Sequence, residues 1–419
     1  MRISRAGLVS LALCASLHLC ASAAVNPVHF SDLPAAAQTK LSGAFGQLAE
    51  LTASDGGPVS FFGYSIAVSG STVAVGADLD PANGASAVGA VYVFVKAGSG
   101  WENMTQVAKL TPSDGVAGTE MGISVAISGD TIVAGASGLS ESGPVYVFVK
   151  PPGGWTDMTQ TAELSPTDGS SADVFGNSVA LSGDTIVVGS AIGAYVYVRP
   201  PAGWVDATQT AKLSDGVADE LGPWVTIQGD IVAATALESG SVCVFAKPPG
   251  GWTNTSAFIA RLSPSDGADS QFGLSLGISG RTIVVGAPRA HGTGQSPPGA
   301  VYVYEEPTSG WVSATETAEL TVVGQPTEEL GYSVGVSGNF IVAGAPDARG
   351  GMGAAYLYSA PAGGWVTTSS YVKRVTAGSS PNEVFGLSTA INGPTIFIGA
   401  PLLNIGYNIE QGAAFVFGP

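Results

Sequence analysis

The chain lacks most of the equipment of an enzyme or of a disulfide-stapled secreted domain. Charged residues fill only 11% of its 419 positions while 45% are apolar, the reverse of the balance that keeps a chain disordered. Of three cysteines, Cys14 and Cys20 fall in an apolar opening segment. Once that segment is removed Cys243 has no partner, so no internal disulfide is expected and stability must come from packing. Histidine is represented only by His18, His29 and His291. None forms a pair at zinc spacing or stands as a general base beside a nucleophile, so no catalytic residue, cofactor or metal is expected. With 15 Lys and Arg against 32 Asp and Glu the net charge is −17, which repels nucleic acid and anionic lipid. Beyond residue 20 there is no apolar run of about 18 residues, so no membrane span is expected.

The opening Met1-Arg-Ile-Ser-Arg5 is basic, residues 7–20 are almost all apolar, and Ala21-Ser-Ala23 supplies small residues. Residues 1–23 therefore read as a secretory signal peptide, too short in its apolar run to be a span. The expected location is secreted or extracellular, or else periplasmic or associated with the cell surface. Residues 24–47 are a lead-in whose Ala-rich stretch could form one or two helical turns.

What the chain has in abundance is glycine, 59 residues of it, and one stretch written seven times. Its clearest copy is Phe175-Gly-Asn-Ser-Val-Ala-Leu-Ser-Gly-Asp-Thr-Ile-Val-Val-Gly189. Two alternating β-branched runs joined by Ser-Gly make a tight hairpin. Copies begin at Phe62, Met121, Phe175, Leu221, Phe272, Leu330 and Phe385, at spacings of roughly 46 to 59 residues, the range of solenoids and propellers. Each hairpin is followed by a variable loop, an aromatic strand such as Val145-Tyr-Val-Phe148, a Pro/Gly turn ending in Trp, and a strand ending Ala-Glu-Leu or similar.

The seventh unit has its hairpin at 385–399 and its aromatic strand at 413–417 but no fourth strand, whereas Ala49-Glu-Leu51 is an orphan fourth strand at the other end. A ring closed by its own N-terminus needs that offset; a solenoid needs polar caps instead. The expected fold is all-β, a seven-bladed propeller over residues 48–419 with four-stranded antiparallel blades, the N-terminal strand completing the last one.

Gly follows Phe at Phe62-Gly63, Phe175-Gly176, Phe272-Gly273 and Phe385-Gly386, and Gly-Ala-Pro ends the second strand at 286–288, 344–346 and 399–401. This pairing resembles the FG-GAP repeat, the unit of the seven-bladed propeller that heads integrin α subunits and occurs in many secreted bacterial proteins. The resemblance implies ligand binding on the face that carries the variable loops. It would also place Ca²⁺ in a loop between the first two strands of some blades. Here that connection is only Ser-Gly plus one residue, too short to wrap an ion that takes six to eight oxygens, so no calcium is expected there.

Several constellations have an ordinary reading beside a sharper one. Gly273-Leu-Ser-Leu-Gly277 and Gly331-Tyr-Ser-Val-Gly335 match a nucleophile elbow, but their serines recur as Ser65, Ser124, Ser178 and Ser388 and belong to the repeat. Asp78-Leu-Asp-Pro-Ala-Asn-Gly84 looks calcium-like yet has Ala82 where an oxygen belongs, so a polar loop is expected. Asp55, Asp114, Asp168, Asp215 and Asp266 each precede Gly in turn pairs, leaving turn formation or ligand contact open. Trp101, Trp155, Trp204, Trp252, Trp311 and Trp365 share one repeat position; they either pack the blade rim or form sugar-stacking platforms, as in propeller lectins.

Strand alternation puts the Ser-Gly hairpins and Trp turns on one face, with the loops 78–89, 137–143, 288–299, 346–353 and 401–412 and the Asp-Gly turns on the other. Binding concentrates on variable loops carried by a rigid scaffold. The candidate ligand-binding residues there are Arg289, His291, Asp347, Arg349, Asn404, Tyr407, Asn408 and Glu410. The functional expectation is a monomeric, non-enzymatic protein that binds an extracellular protein or a polysaccharide.

Overall fold

Alternating β-branched residues between glycine turns produce short antiparallel strands, and these assemble as the repeat spacing predicts. The computed structural model describes residues 45–82, 85–98, 100–136, 143–168, 173–216, 221–267, 271–291, 297–323, 328–377 and 383–419. The expected signal peptide (1–23), the lead-in (24–47) apart from its last three residues, and most of the 137–143 loop lie outside the described residues.

Seven sheets follow one another along the chain, making an all-β, seven-bladed propeller. The first blade has its inner strand at Phe62–Ser69, then Thr72–Ala77 and Ala90–Val95, with Ala108–Thr111 outermost. In the sixth, where the repeat is loosest, Lys373–Val375 still pairs as the outer strand. The seventh takes Thr389–Asn392, Thr395–Ala400 and Ala413–Gly418 from late in the chain and Gly46–Thr52 from early in it. Ala49 lies opposite Val416 and Leu51 opposite Ala414 in that antiparallel pairing.

The core lies between blades. Val91 and Val93 of the first blade cluster with Tyr146, Phe148 and Trp155 of the second. Phe62, Tyr92 and Phe94 cluster with Leu51, Phe397 and Val416 of the seventh. Because each blade is covered on both sides, its third strand is apolar on both faces. Trp155, Trp204, Trp252, Trp311 and Trp365 are buried to 5–9% exposure, and Trp101 meets Phe397 edge-on at 5.3 Å. Sugar-stacking platforms need open ring faces, which these five positions do not offer.

Hydrogen bonds between neighbouring blades form two rings, one toward each end of the inner strands. In the first ring Ser65, Ser124, Ser275, Ser333 and Ser388 donate through Oγ to the carbonyls of Gly122, Gly176, Gly331, Gly386 and Gly63, at 2.6–2.9 Å. Ser178 instead accepts from the Val225 amide at 3.1 Å. The fourth blade has Trp224 where the others have this serine, and its link comes from Thr235 on the second strand, whose hydroxyl donates to Gly273 at 2.7 Å. Elsewhere the Thr235 position is glycine for a steric reason: a Cβ on Gly76 would lie 2.0 Å from the Gly122 carbonyl oxygen.

The second ring uses the hairpin serines. Ser69, Ser128, Ser182, Ser279 and Ser337 accept, through Oγ, the glycine amide of the next blade's hairpin, from Gly129, Gly183, Gly229, Gly338 and Gly393. Gln228 does the same for Gly280, and Asn392 donates to the Gly70 carbonyl across the seam between the seventh and first blades.

At the rim, the segment after each Trp hooks onto the preceding blade. Met104–Thr105, Met158–Thr159 and Ala207–Thr208 pair in parallel with that blade's outer strand. Asn103, Asp157, Asp206 and Asn254 accept, through Oδ1, its amide hydrogens from Glu50, Lys109, Glu163 and Lys212 at 2.7–2.9 Å. These hooks cover sheet edges that would otherwise offer unpaired backbone.

Candidate ligand-binding face

The loops after the second strands are braced by the blade that follows. Met121 donates its amide to the Val88 carbonyl, Leu330 to Pro298, and Phe62 to Gln411, each at 3.0 Å. The approach is close enough to demand glycine: a Cβ on Gly412 would lie 2.0 Å from the Phe62 oxygen. Loops held in this way present side chains from a rigid base, which lowers the entropy lost on binding.

Four of the five Asp-Gly aspartates meet a third-strand tyrosine on this face; in the fourth blade Cys243 takes the tyrosine's place and Asp215 lies 3.8 Å from Arg261. Tyr92, Tyr146 and Tyr302 donate their hydroxyls to the carboxylates of Asp55, Asp114 and Asp266 at 2.8–3.0 Å, and Tyr195 donates to the Asp168 carbonyl. The outer strand of the same blade adds a charged side chain. Lys109 Nζ bridges Asp55 at 2.7 Å and Asp80 at 2.9 Å, and Lys212 Nζ meets Asp168 at 2.7 Å. In the second and fifth blades that position is Glu163 or Glu319, and in the fifth His291 stands between the carboxylates, with Nε2 hydrogen-bonded to Glu319 and Nδ1 3.9 Å from Asp266. Most of the Asp-Gly aspartates are thus already engaged within the protein.

Electrostatics follow from these positions. Burial opposes ionisation of Asp55, but the Lys109 ammonium outweighs it and holds the carboxyl below the usual range. Burial pushes Asp78 up to about 7; backbone hydrogen bonds partly offset this and nearby Glu120 adds to it. Asp80 is 2% exposed and takes hydrogen bonds from Tyr92 at 2.7 Å and from Lys109. The polar loop expected at 78–84 has both its aspartates buried: Asp80 is paired with a protein cation, and among the described residues Asp78 Oδ1 has no hydrogen-bond partner. Residues 83 and 84 lie outside the described residues. Among the described residues, no three His, Cys, Asp or Glu side chains are grouped to hold a metal ion.

The eight candidate residues fall into separate groups. Asn404, Tyr407, Asn408 and Glu410 share one loop of the seventh blade, closed by reciprocal backbone bonds between Ile405 and Asn408. Asn408 Nδ2 donates to the Gly56 carbonyl and to Gln411 Oε1, Asn404 Oδ1 accepts from the Glu410 amide, and Val59 donates its amide to Ile409. At the tip Tyr407 is fully exposed and Ile409 is 58% exposed. Arg289 and Asp347 act in opposite directions on the partly buried carboxyl of Glu329, whose pKa burial raises. Arg349 is exposed, at a left-handed φ of 58° in the turn after Asp347. His291 belongs to the Asp266–Glu319 cluster. Sequence reasoning missed Gln411 and Lys109, and it singled out Asp78 only as part of a polar loop; the third-strand tyrosine, at a fixed place in most repeats, was the signal that polar partners gather there.

Braced, variable loops on one face of a rigid propeller form a surface suited to binding, though the fold alone does not fix a function. The FG-GAP repeat family matches residues 45–94, 104–148, 158–196 and 257–304; FG-GAP repeats in four places on a seven-bladed propeller are consistent with the integrin α-like architecture. Each matched stretch takes in the outer strand of one blade and ends on the third strand of the next, so the sequence unit straddles two blades. No protein of curated function matches the chain. Among the described residues no helix is long and apolar enough to cross a membrane.

Proposed function

We propose that the chain is an exported, non-enzymatic binding protein that engages an extracellular protein or surface polymer through its loop face. The observation that carries this reading is the 401–412 loop, fastened to residues 56–62 and holding Tyr407 and Ile409 out into solvent. An exposed aromatic on a preorganised loop has the character of an interface anchor. Support also comes from the repeat serines. Ser275 and Ser333, the two that match a nucleophile elbow, spend their hydroxyls on backbone carbonyls. The test is capture of partners from the native medium by the full chain and by the Tyr407→Ala/Ile409→Ser variant, with Lys150→Ala on the opposite face as control. Capture lost only in the loop variant supports the proposal; capture by all three alike, or by none, overturns it.

A further inference from the structure

Two sites in the whole sequence read Asn-x-Ser/Thr with no intervening proline: Asn103-Met-Thr105 and Asn254-Thr-Ser256. That pattern is the acceptor signal for N-linked glycans, which need a surface position on an exported chain. Both occupy the same repeat position, in the rim hooks of the first and fourth blades. Both asparagines are exposed.

Their hydrogen bonding suits the modification. Each uses Oδ1 to accept the amide hydrogen of the preceding blade's outer strand, from Glu50 and from Lys212. Among the described residues the side-chain nitrogen of each donates to nothing. A glycan attached at Nδ2 leaves the carbonyl oxygen, and hence the link between blades, intact. A carboxylate serves the link equally well at Asp157 and Asp206, so the link itself does not require asparagine.

The neighbouring residues differ in the same two blades. Five residues or fewer after each asparagine, Val107 and Ile259 stand 46% and 45% exposed. At that position the second, third and fifth blades have Thr161, Thr210 and Thr317, whose hydroxyls accept the amides of Val149, Val198 and Glu305. The two hooks with an acceptor signal are thus the two that expose an aliphatic side chain where these others hold a hydrogen-bonded threonine. A sugar on the adjoining asparagine would cover it.

From this we infer that Asn103 and Asn254 carry N-linked glycans on the propeller rim, away from the loop face. The donor class is an oligosaccharide linked to a polyprenyl diphosphate. The asparagine nitrogen bonds to the anomeric carbon, the bond from that carbon to the diphosphate oxygen breaks and its electron pair leaves with the diphosphate, and the nitrogen gives up one proton to base. The inference rests on export, not on the loop-face ligand.

The deciding measurement is peptide mass spectrometry on the full chain from its own source, treated with an amidase that releases N-glycans in ¹⁸O-labelled water. Expected is ¹⁸O-labelled aspartate at 103 and 254, together with loss of the gel shift in the Thr105→Ala/Ser256→Ala variant made in the same source. That variant keeps both asparagines and their links between blades, so its melt should stay near the parent's. Unmodified Asn103 and Asn254 in the folded, untreated protein overturn the inference, as does a gel shift that survives in the variant.

Discussion

Ser388 donates its hydroxyl to the carbonyl of Gly63 at 2.7 Å, joining residues 325 positions apart. It is the same bond that Ser65 makes to Gly122 over 57 positions. The seventh blade therefore meets the first through the geometry used between neighbours elsewhere in the chain. The seam is held beside the inner strands by Ser388 and Asn392, on the loop face by Val59, Phe61 and Phe62, and within the seventh sheet by Gly46–Thr52.

The N-terminal strand is the part of that seam that can be removed by truncation, leaving all seven hairpins in place. Leu51 is fully buried in the cluster between the seventh and first blades, and Leu51→Ala is expected to lower stability by about 2–5 kcal/mol. A chain beginning at residue 57 should melt lower still and bind a fluorescent dye for apolar surface. Adding a peptide of residues 45–56 should raise its melt again by strand addition. A truncated chain that melts like its parent and ignores the peptide would show that the strand is dispensable.

Much of this was legible in the sequence, for physical reasons. The strands were, because β-branched alternation and Ser-Gly turns are local. The closing strand was, because Ala49-Glu-Leu51 is displaced by a whole chain length from the unit it completes. The bonds between blades were not, because the partner of Ser65 lies in the next copy of the same letters and nothing local marks it. Contacts within a blade do show when the repeats are compared with one another: Asp130, Asp184 and Asp230 pair with Lys150, Arg199 and Lys247, and the fifth blade reverses the signs with Arg281 and Glu306. On the loop face the sequence marked the exposed side chains of 404–410 but not Lys109, which acts through Asp55 in a different repeat.

The fourth blade gives a direct test of the inner ring. Thr235→Val keeps shape and removes the hydroxyl that reaches Gly273, leaving a buried carbonyl unpaired, at a cost of about 1–3 kcal/mol. Ser388→Ala should cost a similar amount, and Thr235→Ser should recover most of the loss. Urea unfolding midpoints are the readout. Equal midpoints for Thr235→Val and its parent would mean that the ring contributes nothing.

Lys109 neutralises a carboxylate that has little access to water. With Lys109→Met, Asp80 keeps, among the described residues, only the Tyr92 hydroxyl in its buried position, and the expected loss is about 3–5 kcal/mol. Asp80→Asn in the same chain should restore much of it, since the neutral amide needs no counter-charge. Hydrogen exchange over residues 46–62 should quicken in the single variant, because Lys109 also holds Asp55. No recovery in the double variant would place the effect in packing rather than charge.

Asp78 makes stability depend on pH in the direction opposite to that of Asp55. Its carboxyl is raised to about 7 in the folded chain, whereas an unfolded aspartate ionises near the ordinary value of about 3.9. Below roughly pH 4 both states carry the proton and Asp78 has no effect on stability. Between roughly pH 4 and 7 the unfolded chain releases the proton while the folded chain keeps it, so stability falls as pH rises; above about 7 both are ionised and the loss is constant. The depressed carboxyl of Asp55 works the other way, losing its contribution as pH falls below the ordinary carboxylate range. Asp78→Asn removes the first effect and leaves the second. The variant should therefore match its parent near pH 4 and exceed it at pH 8 by on the order of 2–4 kcal/mol, since burial no longer confines a charge beside Glu120. Thermal melts across pH 4–8 read the difference directly. A gap independent of pH would mean that Asp78 does not titrate in this window, and a gap that widened toward acid would reverse the assignment of its environment.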